Sequence, residues 1–177
     1  MKSTDVYAAI KEVIAPWTIA NGFKRTKTLL GWSRPHGSRF LVFWFQCSRD
    51  GWDSHAGSKF IAEFQFDSTS EPGGAGLRHR LPHFLAPPQL EEARQLQNRV
   101  ISKLEKPAPD HPLVRDPGLR AWYLAKFEPL AAAPSSRTDF WLRYGDEDDV
   151  RHWARFIKTA LPEIFGKLAP DLTLKAE

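Results

Sequence analysis

Cysteine is nearly missing from this sequence. Cys47 is the single one in 177 residues, so no disulfide can form within the chain. That composition fits a reducing compartment, and a cytoplasmic location is expected. There is no apolar core of a signal peptide after Met1, and the first residues lead into a polar, amphipathic segment. No apolar run approaches the roughly 20 residues that span a bilayer. No internal repeat is visible either.

Catalytic signatures are equally scarce. No G-x-S-x-G elbow is present. The "GGAG" at 73–76 is not followed by Lys-Ser/Thr, so it is not a phosphate loop. Cys47 lies near the end of an apolar strand, where cysteine packs as a small hydrophobe. Six histidines are scattered, and only His79 and His83 are close. Pro82 lies between them, which argues against a helical pair presenting both rings to one metal. The acids Asp146, Glu147, Asp148 and Asp149 suit the positive end of a helix. No metal site and no cofactor are expected.

What the sequence does have is aromatic residues and a sheet-like pattern. Seven Trp and twelve Phe accompany a hydrophobic content of 42%, enough for one domain with a real core. The whole chain, 1–177, reads as that domain, with core segments 4–70 and 86–168 and a flexible Gly/Pro-rich loop at 68–87. Val6, Ile10, Val13, Ile14 and Trp17 form the stripe of a first helix, opened by Ser3, Thr4 or Asp5 and closed at Asn21-Gly22. Pro16 is expected to kink it. Residues 23–34 read as one or two extended pieces, joined by the turn "PHGS" to a strand at 39–49, and 59–68 alternates clearly as a further strand. A helix from about Pro88 carries Leu90, Ala93, Leu96, Val100, Ile101 and Leu104. Asp116-Pro117 opens another, lined by Leu119, Trp122, Tyr123 and Phe127. "TDFWLRY" reads as a fourth strand. A last helix buries Val150, Trp153, Ile157, Leu161, Ile164 and Leu168, with Pro162 as a break. The expected fold is α+β: an antiparallel sheet of about four strands packed with N-terminal, middle and C-terminal helices.

Several of these residues form a recognisable set. Gly22-Phe23-Lys24 closes the first helix, and Trp32-Ser33-Arg34 follows on a strand. Phe45-Gln46-Cys47-Ser48 ends the next, and "FWLRYGDEDDV" comes later. The set resembles the uncharacterised bacterial family catalogued as domain-of-unknown-function family 4304. The resemblance covers 4–70 and, less closely, 138–168. It implies an α+β fold and brings no activity and no catalytic residues.

The strand "FLVFWFQCSR" raises the functional question. Phe40, Val42, Trp44, Gln46 and Ser48 point one way, and Leu41, Phe43, Phe45, Cys47 and Arg49 the other. Both faces are apolar, as in a central strand covered on both sides. With Arg34 opposite Arg39, Trp32 would face Leu41. Trp32, Arg34, Trp44, Gln46, Arg49, Trp52 and Arg143 are the candidate binding residues, converging at one sheet end. The alternative is that the tryptophans fill the core and the polar groups cap strand ends.

Charge supplies the rest. The net charge is +4, and residues 1–49 hold 8 Lys/Arg against 2 Asp/Glu. Three functions remain in view. The first is a non-catalytic binding domain that recognises another protein or a small ligand. The second is a single-stranded nucleic-acid binder using a basic aromatic sheet face. The third is an enzyme of unknown reaction at the sheet end, with the 68–87 loop as a lid and Gln46, Arg49 and Glu63 as polar groups. The first is the main expectation, with another protein as partner and no membrane.

Overall fold

The computed structural model describes residues 1–106, 108–119, 121, 141–172 and 174. Within them the chain is α+β. Helix α1 (Ser3–Ala20) leads into five strands: β1 (Lys24–Arg25), β2 (Leu30–His36), β3 (Arg39–Cys47), β4 (Ser58–Asp67) and β5 (Leu77–Arg80). A 310 turn (Leu81–His83), α2 (Pro87–Lys103), α3 (Pro112–Arg115), β6 (Leu142–Tyr144) and α4 (Glu147–Leu168) follow. Every strand pair is antiparallel, in the order β1-β2-β3-β4-β5. Strand β6 joins the same outer edge of β4 that β5 occupies. Residues 63–66 of β4 pair with β5, and 58–60 with β6. Two short strands therefore share one edge of a long one.

Among the described residues six strands stand where about four were expected. The two extra ones, β1 and β5, are two and four residues long. Two residues cannot display a period-2 pattern, and the four of β5, "LRHR", carry no apolar alternation. Strand β5 and the 310 turn both lie inside the 68–87 stretch that was expected to be loop. The helix expected after Asp116-Pro117 and the first half of "TDFWLRY" lie largely outside the described residues.

The β2–β3 turn is tighter than expected. His36 pairs with Arg39, leaving Gly37-Ser38 as a two-residue loop. Gly37 has φ +58 and Ser38 stays at negative φ, as a type II′ hairpin requires. The register therefore sets Arg34 against Leu41 and Trp32 against Phe43, two positions from the expected pairing. A shift of two keeps every side chain on its face. Trp32 thus remains beside Phe43 and Phe45.

Helix ends follow local chemistry. Asp5 accepts a bond from the backbone N–H of Lys2 at 2.9 Å. Asp146 caps α4, accepting from the N–H of Asp149 at 2.9 Å. Both Pro16 and Pro162 sit inside continuous helices. The packing of α1 and α4 on one sheet face keeps these helices unbroken across a locally lost bond.

The core lies between that face and the two helices. Phe43 is its centre: Trp32 stacks on it at 5.3 Å and Phe64 at 6.0 Å. Phe23 and Phe165 meet its edges at 5.7 and 5.6 Å. Burying each such ring contributes about 1.5–3 kcal/mol. No helix among the described residues is long and apolar enough to cross a membrane.

Candidate functional site

The opposite face of the sheet is also buried, but its chemistry differs. Strand alternation and register lay it out in rows. Gly31, Trp44, Glu63 and Arg80 form one row, and Ser33, Val42, Gln65 and Arg78 the next. Gln46 pairs with Ile61, and Lys59 with Arg143. The fully apolar middle of β3 is therefore a central strand covered on both sides.

Glu63 organises this face. Its carboxylate accepts from the Arg78 guanidinium at 2.6 Å and from Arg80 Nε at 3.2 Å. The Arg78 guanidinium also lies over the Trp44 ring, 5.1 Å from its centroid. Arg80 lies over the Trp141 ring at 5.5 Å, and the Lys59 ammonium approaches that ring at 5.1 Å. Lys59 in turn meets Asp50 at 2.9 Å. The result is a chain of alternating contacts running Trp44, Arg78, Glu63, Arg80, Trp141, Lys59, Asp50. Cation–ring contacts of this kind are worth about 0.5–2 kcal/mol each.

Gly31 makes room for this arrangement. A Cβ there would lie 2.8 Å from both Phe43 O and Trp44 Cβ. The loop 68–76 crosses one end of the face and is tied at both ends. Gln65 Oε1 accepts from Gly73 N–H at 3.0 Å, and Glu71 accepts from the N–H groups of Lys27 and Thr28. Asp67 accepts from Gly76 N–H at 2.5 Å, a bond that holds its carboxyl below the usual range.

The sequence-derived candidates are divided by this geometry. Trp44, Gln46 and Arg143 share the charged face. Trp32 points to the helix face and is a core ring. Arg34 lies on the Trp32 side, at the hairpin end of β2. Arg49 is exposed beyond the end of β3. Trp52 is half-exposed, and its Nε1–H donates to Gly145 O at 2.8 Å. It lines a separate cavity of about 150 Å3 with Lys103, Glu105 and Asp146. Arg143 is fully buried, with its backbone held from two sides. Its N–H donates to Gln97 Oε1 at 3.1 Å, and its carbonyl accepts from Trp153 Nε1.

Arg78, Arg80 and Trp141 were missed. The first two belong to "LRHR", which shows no apolar alternation of its own. The signal available was Arg spaced two apart, one face of any extended segment.

Cys47 is on the helix face and is half-buried. Burial pushes its thiol up to about 11. Its backbone N–H donates to the Tyr7 hydroxyl at 3.3 Å. A thiol held in that state is a poor nucleophile. Among the described residues no group of three or more His, Cys, Asp or Glu could hold a metal.

These observations define an α+β domain with a charged, ring-lined second sheet face. No family model matches the chain, and neither a curated protein nor a solved structure is detectably similar to it.

Proposed function

We propose that the protein is a non-catalytic binding domain that recognises an acidic group on another protein, using the outer end of the charged sheet face. The observation that carries this reading is the pair Arg78 and Arg80, both fixed by Glu63 while Arg78 keeps 45% of its side chain in solvent. Two guanidiniums held by one carboxylate are preorganised donors, and preorganisation lowers the entropic cost of binding. A buried ionic network is also a weak source of stability, since apolar side chains of similar volume often do as well. Its presence on one face is better explained by recognition. A cytoplasmic setting accords with the single, unpaired thiol.

The nucleic-acid alternative draws less support. Stacking platforms need rings open to solvent. Here Trp32, Phe43, Phe45 and Trp44 are all buried. The enzymatic alternative would need an activated group, and the Cys47 thiol is shifted the wrong way.

The test is affinity capture from source-cell lysate with the wild-type chain and an Arg78→Ala/Arg80→Ala variant, both checked for folding by circular dichroism. A stoichiometric protein partner lost in the variant is expected. A partner retained by the variant, or background proteins alone, would sink the reading. Single-stranded oligonucleotides titrated at low and high salt are expected to show no salt-dependent binding.

A further inference from the structure

Strand β5 carries two different things on its two faces. Arg78 and Arg80 face Trp44 and Glu63. His79, between them, faces the other way and pairs with Phe64. The His79 ring stacks flat on the His83 ring, with centroids 3.6 Å apart and planes 5° from parallel. Phe84 presents its ring edge-on to both, at 5.9 and 5.1 Å. The rings belong to different elements, since His83 ends the 310 turn. The stack therefore folds the turn back onto the strand.

The surroundings hold one ion pair and are tightly joined. From α4, Lys167 Nζ donates to Phe84 O at 2.5 Å and to Glu163 Oε1 at 2.7 Å. From α2, Gln89 Nε2 donates to Glu163 Oε2 at 3.0 Å, and its Oε1 accepts from Ala86 N–H. From β4, Phe64 meets Phe84 edge-on. The ionisable groups around the stack are thus His79, His83, Lys167 and Glu163, and Glu163 is engaged by Lys167.

We infer that the His79–His83 stack is an acid-released latch that holds β5, and with it Arg78 and Arg80, against β4. Two neutral imidazoles can stack face to face. Two imidazolium rings at this separation repel, and Lys167 adds a third positive charge nearby. Burial, then His79, then Lys167 hold the His83 imidazolium below its ordinary value of 6.5. The sign follows from that direction. The folded state binds the proton less readily than the unfolded chain, so the contribution of the stack is complete above about pH 6.5 and is lost as pH falls below that value, through the lower value of the folded state. Opening need not unfold the sheet, because β5 pairs with only four residues of β4. Because Arg78 and Arg80 share the backbone of His79, release of the latch withdraws both guanidiniums from Glu63.

Amide hydrogen exchange tests this on the full chain. Protection is measured at about pH 7.5 and about pH 5.5, on either side of the imidazole range, and corrected for the intrinsic pH dependence of exchange. Protection at 77–80 is expected to fall by about fivefold at the lower pH relative to the β2–β3 amides. His83→Gln, at the exposed position of a turn whose Leu81 and Pro82 are buried, is expected to abolish that difference between the two pH values. Equal protection at both pH values in the wild type, or an unchanged loss in His83→Gln, would overturn the latch. Proton NMR titration of the His83 ring gives an independent reading: a midpoint below that of the same ring in the unfolded chain supports it, and an unshifted curve refutes it.

Discussion

On the helix side of the sheet, Phe43 is enclosed by Trp32, Phe64, Phe23 and Phe165. One residue further along, on the other side, Trp44 is covered by the guanidinium of Arg78. Both rings are buried, yet they answer to different physics. The helix face is held by area removed from water, a term indifferent to direction. The charged face is held by contacts that require each partner in place, because an uncompensated buried charge is costly. Removing one group from the first leaves a hole. Removing one group from the second leaves a charge.

The sharpest way to expose that difference is to cut a ring from the helix face. Phe43→Ala should cost about 3–5 kcal/mol in chemical denaturation, as for other large-to-small core changes. A loss below that of an ordinary surface change would break the comparison. The half-buried thiol on the same face gives a second probe. With Cys47 moved from 9.0 to about 11, its thiolate at neutral pH should be roughly a hundredfold scarcer than on an unperturbed thiol. Alkylation in the native state should be slower by that order, and should reach the ordinary rate in denaturant.

On the charged face, Glu63→Gln keeps the shape and removes the charge. A loss of about 2 kcal/mol is expected, below that for a fully buried pair because Arg78 reaches water. Replacing Glu63, Arg78 and Arg80 together by Leu, Met and Met should recover most of it. If the triple variant were instead less stable than Glu63→Gln alone, the network would be a main source of stability and not a recognition device. The smallest effect belongs to Trp52→Phe, which removes one exposed hydrogen bond to Gly145 O. At most about 1 kcal/mol is expected from thermal unfolding.

The same division explains what could be read from the sequence. The helix face was legible because apolar residues recur at fixed periods: the stripe of α1, the stripe of α4, and the alternation of Phe60, Ala62, Phe64 and Phe66 in β4. The parity of β3 placed Trp44 and Gln46 on one side and Phe43 and Phe45 on the other, as found. Convergence at the sheet end was not legible. Trp32 was expected on the Leu41 side and is found there, yet it was grouped with Trp44 of the other side as if the two met around one end of the sheet. Arg143 reached the charged face through a pairing of β6 with β4, between segments far apart in the chain. No local period encodes such a contact. Arg78 and Arg80 were hidden in a Gly/Pro-rich stretch whose strand is defined by its partner, β4, and not by its own composition. Histidines 79 and 83 were set aside as a metal pair because of Pro82. That proline instead sits in the 310 turn that brings their rings face to face.

The shared edge of β4 has a consequence in time. Strands β2 to β5 follow one another along the chain and close through local turns and loops, so their contacts cost little chain entropy to form. Strand β6 lies far along the chain from β4, beyond α2 and α3, and its pairing must close a much larger loop. Chain entropy therefore favours the meander forming ahead of the β6 strap. Until β6 arrives, residues 58–60 present an unpaired edge, and Lys59, which stands on it, supplies the charge that discourages another chain from pairing there first.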